Sequence, residues 1–167
     1  NFLFNYLGLG EDQMGMIVRP DCADLPYFLR AYFAFKMGLP FGFSKCSRGG
    51  GGQPPKCYGW VNIANSSTGQ NSGLAAVFGR YLQTVGDGVQ SGNGRTPARD
   101  DNTDFYPVPL TQETLRPGTI YADPYGHILI LVRRVSQSDG AAGVFLAVDA
   151  EPDGSVTRKR FWRGNFL

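Results

Sequence analysis

Histidine is the scarcest chemistry-bearing residue in this chain: His127 is the only one in 167 residues. Any reaction that needs an imidazole base must run through that position, and histidine-rich metal sites are excluded. Cysteine is nearly as sparse. Cys22, Cys46 and Cys57 form no CxxC pair, so no zinc site is expected and the metal set is empty. An excess of one charge is also missing, since 16 basic and 14 acidic residues leave a formal +2. That is too little to imply nucleic acid as a partner. The local run Arg158-Lys159-Arg160, with Arg163, reads as a solvated strand edge. No stretch approaches the about 18 uninterrupted apolar residues of a membrane helix, so no membrane span is expected. No signal peptide is visible, and the abrupt start at Asn1-Phe2-Leu3-Phe4 reads as a cut end, as in a piece of a larger chain.

Glycine is abundant, with 23 residues, where about 7% is usual. Hydrophobic residues at 42% and charged residues at 18% mark a globular chain. The length suits one domain over 1–167. Residues 41–70 and 86–104 are rich in Gly, Pro, Ser and Asn and read as irregular loops. Asp100, Asp101 and Asp104 fit no EF-hand spacing and read as a solvated loop.

Asp21 opens the clearest helix. Leu25, Phe28, Leu29, Tyr32, Phe33 and Lys36 recur at helical spacing, and Gly38 with Pro40 stops it. Pro26 is tolerated in a first turn, with Asp21 or Asp24 supplying the cap. A second helix is expected from about Ser72 to Val85, ended by Gly86, with Phe78, Tyr81, Leu82 and Val85 on one face. The last third reads as strands over 119–122, 127–135, 144–150 and 155–162, with a turn at Pro152-Asp153-Gly154. Helices followed by an antiparallel meander give an α+β class.

Cys46 and Cys57 flank Gly49 to Gly52 and Pro54-Pro55. A disulfide there would be worth about 3 kcal/mol. The alternative is three free thiols in a reducing compartment. If the disulfide forms, Cys22 is the odd thiol, which suggests reactivity. Cys22 sits at a helix start, where free amides and the helix dipole favour a thiolate. His127 stands at the mouth of an apolar strand, behind Gly126, which gives backbone freedom and open space near the ring. A hairpin centred on Ser138 would set Asp149 directly opposite His127, able to fix its tautomer. One residue of slip would spoil this, and Asp123 and Asp153 compete for the role. Nucleophile, base and orienter together follow the logic of cysteine catalysis.

Asp21-Cys22-Ala23-Asp24-Leu25 resembles the DCSGL-type nucleophile motif of the NlpC-type cell-wall peptidases. Leu115-Arg116-Pro117-Gly118 with Gly126-His127-Ile128-Leu129-Ile130 resembles their LxPG…GHxxI segment. Ala23-Asp24 departs from that motif, and an aspartate as third member is more similar to the bacterial transglutaminase-like peptidases. The resemblance covers about half the chain. It implies a papain-like fold, a nucleophile helix packed on an antiparallel sheet, with 41–104 as an insertion. It implies a cysteine hydrolase that needs no cofactor and opens an amide bond in peptide, peptidoglycan or protein, in the periplasm or outside the cell. Transglutaminase-type acyl transfer and a catalytically inactive binding domain are the alternatives. An oxyanion donor is also required. The Cys22 amide is the first candidate, and Gln13 or Tyr6 offers a side chain. Tyr58, Trp60, Tyr121 and Tyr125 are candidates to line a cleft.

Overall fold

A computed structural model describes residues 3–13, 18–63, 73–138 and 143–161. The order is α1 (Asp24–Met37), β1 (Gly42–Cys46), β2 (Cys57–Asn62), α2 (Leu74–Gly88), a 3-10 turn (Asn93–Arg95), β3 (Ile120–Ala122), β4 (Ile128–Val135), β5 (Val144–Ala150) and β6 (Val156–Phe161). Among the described residues the architecture is mixed α/β, with two helices and two antiparallel sheets: the pair β1-β2 and the meander β3-β4-β5-β6. No described helix is long and apolar enough to cross a membrane.

The main core joins both helices to β1 and β4. Ala23, Tyr27, Phe28 and Ala31 of the α1 region meet Phe78, Tyr81, Leu82 and Val85 of α2, with Phe43 and Ile128. The buried stripe of α1 is not the one the spacing suggests, because Leu29 and Phe33 are 37% and 50% exposed. Residues 27–35 are apolar almost all round, so periodicity cannot choose the inward face. The small Ala31 and Ala34 do, because they let the neighbouring elements approach closely. Gly86 does not end α2, which runs on to Gly88. A Cβ at Gly86 would lie 3.3 Å from the Phe28 ring, so this glycine serves helix packing.

The loop expected over 41–70 is, as far as residue 63, a hairpin. Phe43 is 0% exposed within it. Ser44 pairs with Trp60 and Lys45 with Tyr58, so Gly59 is an unopposed bulge residue. That bulge breaks the alternation that would have marked a strand. Cys46 lies opposite Cys57 and is disulfide-bonded to it. Asp104 is not a solvated loop residue either. It accepts the Ser44 amide at 2.9 Å and the Tyr27 hydroxyl at 2.8 Å, tying residues 101–104 to the core.

The meander has apolar clusters on both faces. Ile130 and Ala150 pack on Leu25 of α1, whereas Leu129, Leu131 and Ala147 cluster with Leu115, Phe145 and Phe161. The N-terminal segment is fixed to the far half of α1. Lys36, 2% exposed, bonds Glu11 and Asp12, and Tyr32 bonds Asp12. Burial raises the Glu11 carboxyl, but Lys36 and the Leu7 and Leu9 amides outweigh it and hold the group at about 2.

Candidate active site

The start of α1 is built by two aspartates. Asp21 Oδ1 accepts the amides of Ala23 and Asp24 at 2.8 and 3.0 Å, and Asp24 Oδ2 accepts the Asp21 amide at 3.3 Å. This reciprocal pair is a capping box. Leu25 N–H donates to Asp21 O at 3.1 Å, the first helical bond, so Cys22 stands in the opening turn. The Cys22 amide donates to none of the described residues.

His127 is presented by a turn that Asp123 organises. One carboxylate oxygen, Asp123 Oδ1, accepts the amides of Tyr125, Gly126 and His127 at 2.6, 2.8 and 3.3 Å. Asp123 N–H donates to His127 O at 2.9 Å and closes the turn. Gly126 is required here, with φ +111°. The space beside it is not open, because a Cβ would lie 3.3 Å from Ser91 Cβ.

His127 Nδ1 lies 3.7 Å from Asp149 Oδ2, an electrostatic contact longer than a hydrogen bond. The register is not the one expected. Ile130 pairs with Val148 and Leu131 with Ala147, so the ladder runs on to set Asp149 opposite Leu129, diagonal to His127. A bulge between Leu131 and Arg133 shifts the pairing. The slip from the expected register is two residues, so both side chains stay on one face and within diagonal reach.

Asp149 is 2% exposed, and its Oδ1 is buried with no hydrogen-bond partner among the described residues. Burial and Glu151 push its carboxyl above the usual range, against His127 and Lys159. Thr157 pairs directly with Asp149, and its Oγ1 is also buried with no partner among the described residues. A donor and an acceptor thus face each other across β5 and β6. Nothing in the sequence marks Thr157 except the spacing of the hairpin turn.

The Cys22 thiol donates to Gly126 O at 3.8 Å. Burial and Asp21 raise it above its ordinary 9.0, the Ile128 amide opposes them, and Asp149 adds to the rise. The resting group is therefore a thiol, not the thiolate that a helix start alone favours. It touches the backbone on both sides of His127 and makes no hydrogen bond to the imidazole, which is half exposed. Asp24 is also unusual: burial and Asp21, with Asp87, raise its carboxyl to about 7.

The remaining expected residues lie elsewhere. Gln13 is exposed, and neighbouring Asp12 is anchored to Tyr32 and Lys36, well along α1 from Cys22. Tyr6 and Tyr125 are 61% and 94% exposed. Tyr125 sits on the Asp123 turn beside His127, while Tyr121 packs against Phe161. Tyr58 and Trp60 lie exposed on the hairpin. A groove of about 650 Å³ runs between residues 48–55 and residues 94–96 and 122–124. It reaches the Asp123 turn but includes neither Cys22 nor His127, so this groove adjoins the candidate residues without containing them.

No family model, curated protein or solved structure matches the chain.

Proposed function

We propose that the protein is a papain-like cysteine hydrolase that opens an amide bond through Cys22, His127 and Asp149. The observation that carries this reading is the His127–Asp149 contact at 3.7 Å, beside the backbone that the Cys22 thiol touches. The half-exposed imidazole is free to turn towards the sulfur, a rotation of picoseconds to nanoseconds for such side chains. It takes the Sγ proton as sulfur attacks the carbonyl carbon. The oxyanion forms at the free Cys22 amide. The amine leaves with the proton from His127, and a thioester remains on Cys22. Water, deprotonated by the same imidazole, attacks the thioester, and the acid departs as the thiol is restored. Asp149 stabilises the imidazolium in both steps. The resemblance to NlpC-type peptidases suggests cell-wall peptide or protein as substrate, and the disulfide fits an oxidising compartment such as the periplasm.

One observation favours a second reading, a catalytically inactive domain: the thiol is bonded to a carbonyl and raised by burial, with Asp21 and Asp149 adding to the rise. Acyl-enzyme trapping separates the two. Incubation with p-nitrophenyl acetate is expected to place one acetyl group on Cys22, visible by peptide mass mapping. Cys22→Ala abolishes it, and His127→Ala slows it by about 100-fold. Equal acetylation rates in the wild type and His127→Ala would sink the hydrolase reading.

A further inference from the structure

We propose that the groove between the Gly49–Gly52 loop and the Asp123 turn binds a carboxylate of the peptide substrate, giving a preference for an acidic residue near the opened bond. This rests on the hydrolase reading above.

The groove of about 650 Å³ is lined by Arg48 and Arg95. Arg48 also lines an adjoining depression of about 400 Å³, together with Lys56. Among the described residues, none of these three cations forms an ion pair. The Arg95 guanidinium donates only to neutral acceptors: Ser91 O and Arg48 O at 3.3 Å and Ser91 Oγ at 3.4 Å. These bonds fix its position and leave its charge uncompensated. Asp123 is the single carboxylate in the wall, and its Oδ1 is already occupied by three backbone amides. The potential in the groove is therefore positive.

The shape suits an extended chain. Gly49, Gly50 and Gly52 contribute bare backbone, and the volume falls in the range of about 300–1,000 Å³ common to ligand sites. The wall is held in place by the Cys46–Cys57 disulfide and by Gln90 Nε2, which donates to Cys46 O at 2.7 Å. Its other side, Ala122-Asp123-Pro124, is the strand end and turn that present His127. A peptide side chain seated there lies a few residues from the reacting centre. The lining contains no aromatic residue on which a base would stack, so a peptide carboxylate fits better than a nucleic acid.

The test uses the full chain carrying Cys22→Ala, so that ligand is not consumed. Fluorescence anisotropy follows a fluorescein-labelled Ala-Glu-Ala-Ala amide and its Gln twin. The Glu peptide is expected to bind about tenfold tighter, with the difference shrinking as salt rises. Adding Arg48→Ala, an exposed position, should erase the difference, while Arg95 is left alone because it holds the turn. Equal binding of the two peptides, or a preference that survives Arg48→Ala, overturns the proposal. So does stronger displacement of the Glu peptide by an oligothymidylate of equal charge. Binding here needs no catalysis, so absence of the acidic preference, while the wild type is still acetylated at Cys22, fails the groove alone. Acidic preference without acetylation fails the triad alone.

Discussion

Replacing His127 with alanine isolates what the imidazole does for Cys22. Burial, Asp21 and Asp149 hold the thiol above its ordinary 9.0, against the Ile128 amide. A group with a pKa of 9 is about 1% ionised at pH 7, and Cys22 is less so. In His127→Ala the rate of alkylation by iodoacetamide should follow the thiolate alone, rising about tenfold per pH unit from 6 to 9. In the mechanism proposed above, His127 of the wild type accepts the proton as sulfur attacks, which is worth about 100-fold or more. The wild-type rate at pH 7 should therefore exceed that of His127→Ala by about 100-fold, with a flatter slope. Asp149→Asn should fall between them, because the ring is kept but its imidazolium loses a carboxylate 3.7 Å away. The assay is timed quenching with peptide mass mapping. Cys46 and Cys57 are bonded to each other and stay silent. Identical rates and slopes in the wild type and His127→Ala would refute the pairing of sulfur and imidazole.

Two further outcomes test the frame around the site. Gly126→Ala places a side chain at φ +111° and a methyl 3.3 Å from Ser91 Cβ, which should cost about 1–3 kcal/mol; an unchanged urea midpoint would show that the turn relaxes freely. Asp24 has a folded pKa of about 7 against an ordinary 3.8, so the folded state holds the extra proton between these values and stability falls as pH rises through that window. Asp24→Asn keeps an acceptor for the Asp21 amide. It should match the wild type near pH 4 and exceed it at pH 8 by about 1 kcal/mol, solvent screening having reduced the full linkage; equal melting temperatures at pH 8 would contradict it.

The parts of this fold that were legible in the sequence are those where one physical signal dominates. The run Val144 to Ala150 is bounded by turn residues and is a strand at those same limits. Gly38 caps α1 as its position suggests. The hairpin at 42–62 was hidden because Gly59 interrupts the period of two and the glycine-rich run Gly49 to Gly52 lies between the strands. The face of α1 was hidden because aromatic residues surround it, and only packing against α2 and the sheet selects Tyr27, Phe28 and Ala31 as the inward side. At the site, the antiparallel pairing of the strands that carry His127 and Asp149 was readable, but its register and the electrostatics were not. The helix-start argument ranks Cys22 as a thiolate, and it omits the burial of the sulfur, the charge of adjacent Asp21, and Asp149, which the fold brings near; together they reverse the sign.

That reversal bears on how the proposed chemistry would be arranged. A low-pKa cysteine pairs with an imidazolium at rest, so the carboxylate beside the histidine stabilises ground state and transition state alike. At Cys22 burial first, and then Asp21 and Asp149, disfavour the thiolate, and the sulfur is bonded to Gly126 O. In the proposed step the proton moves as sulfur attacks, and the imidazolium then formed lies beside Asp149, which is buried with one oxygen that has no partner among the described residues. An interaction absent from the ground state and present in the transition state lowers the barrier, whereas one present in both does not. The carboxylates that make Cys22 a poor thiolate are thus consistent with a general-base mechanism. On this reasoning a thiol titrating well above 9 in the wild type does not by itself argue for an inert domain. The His127 dependence of its reactivity is the quantity that decides.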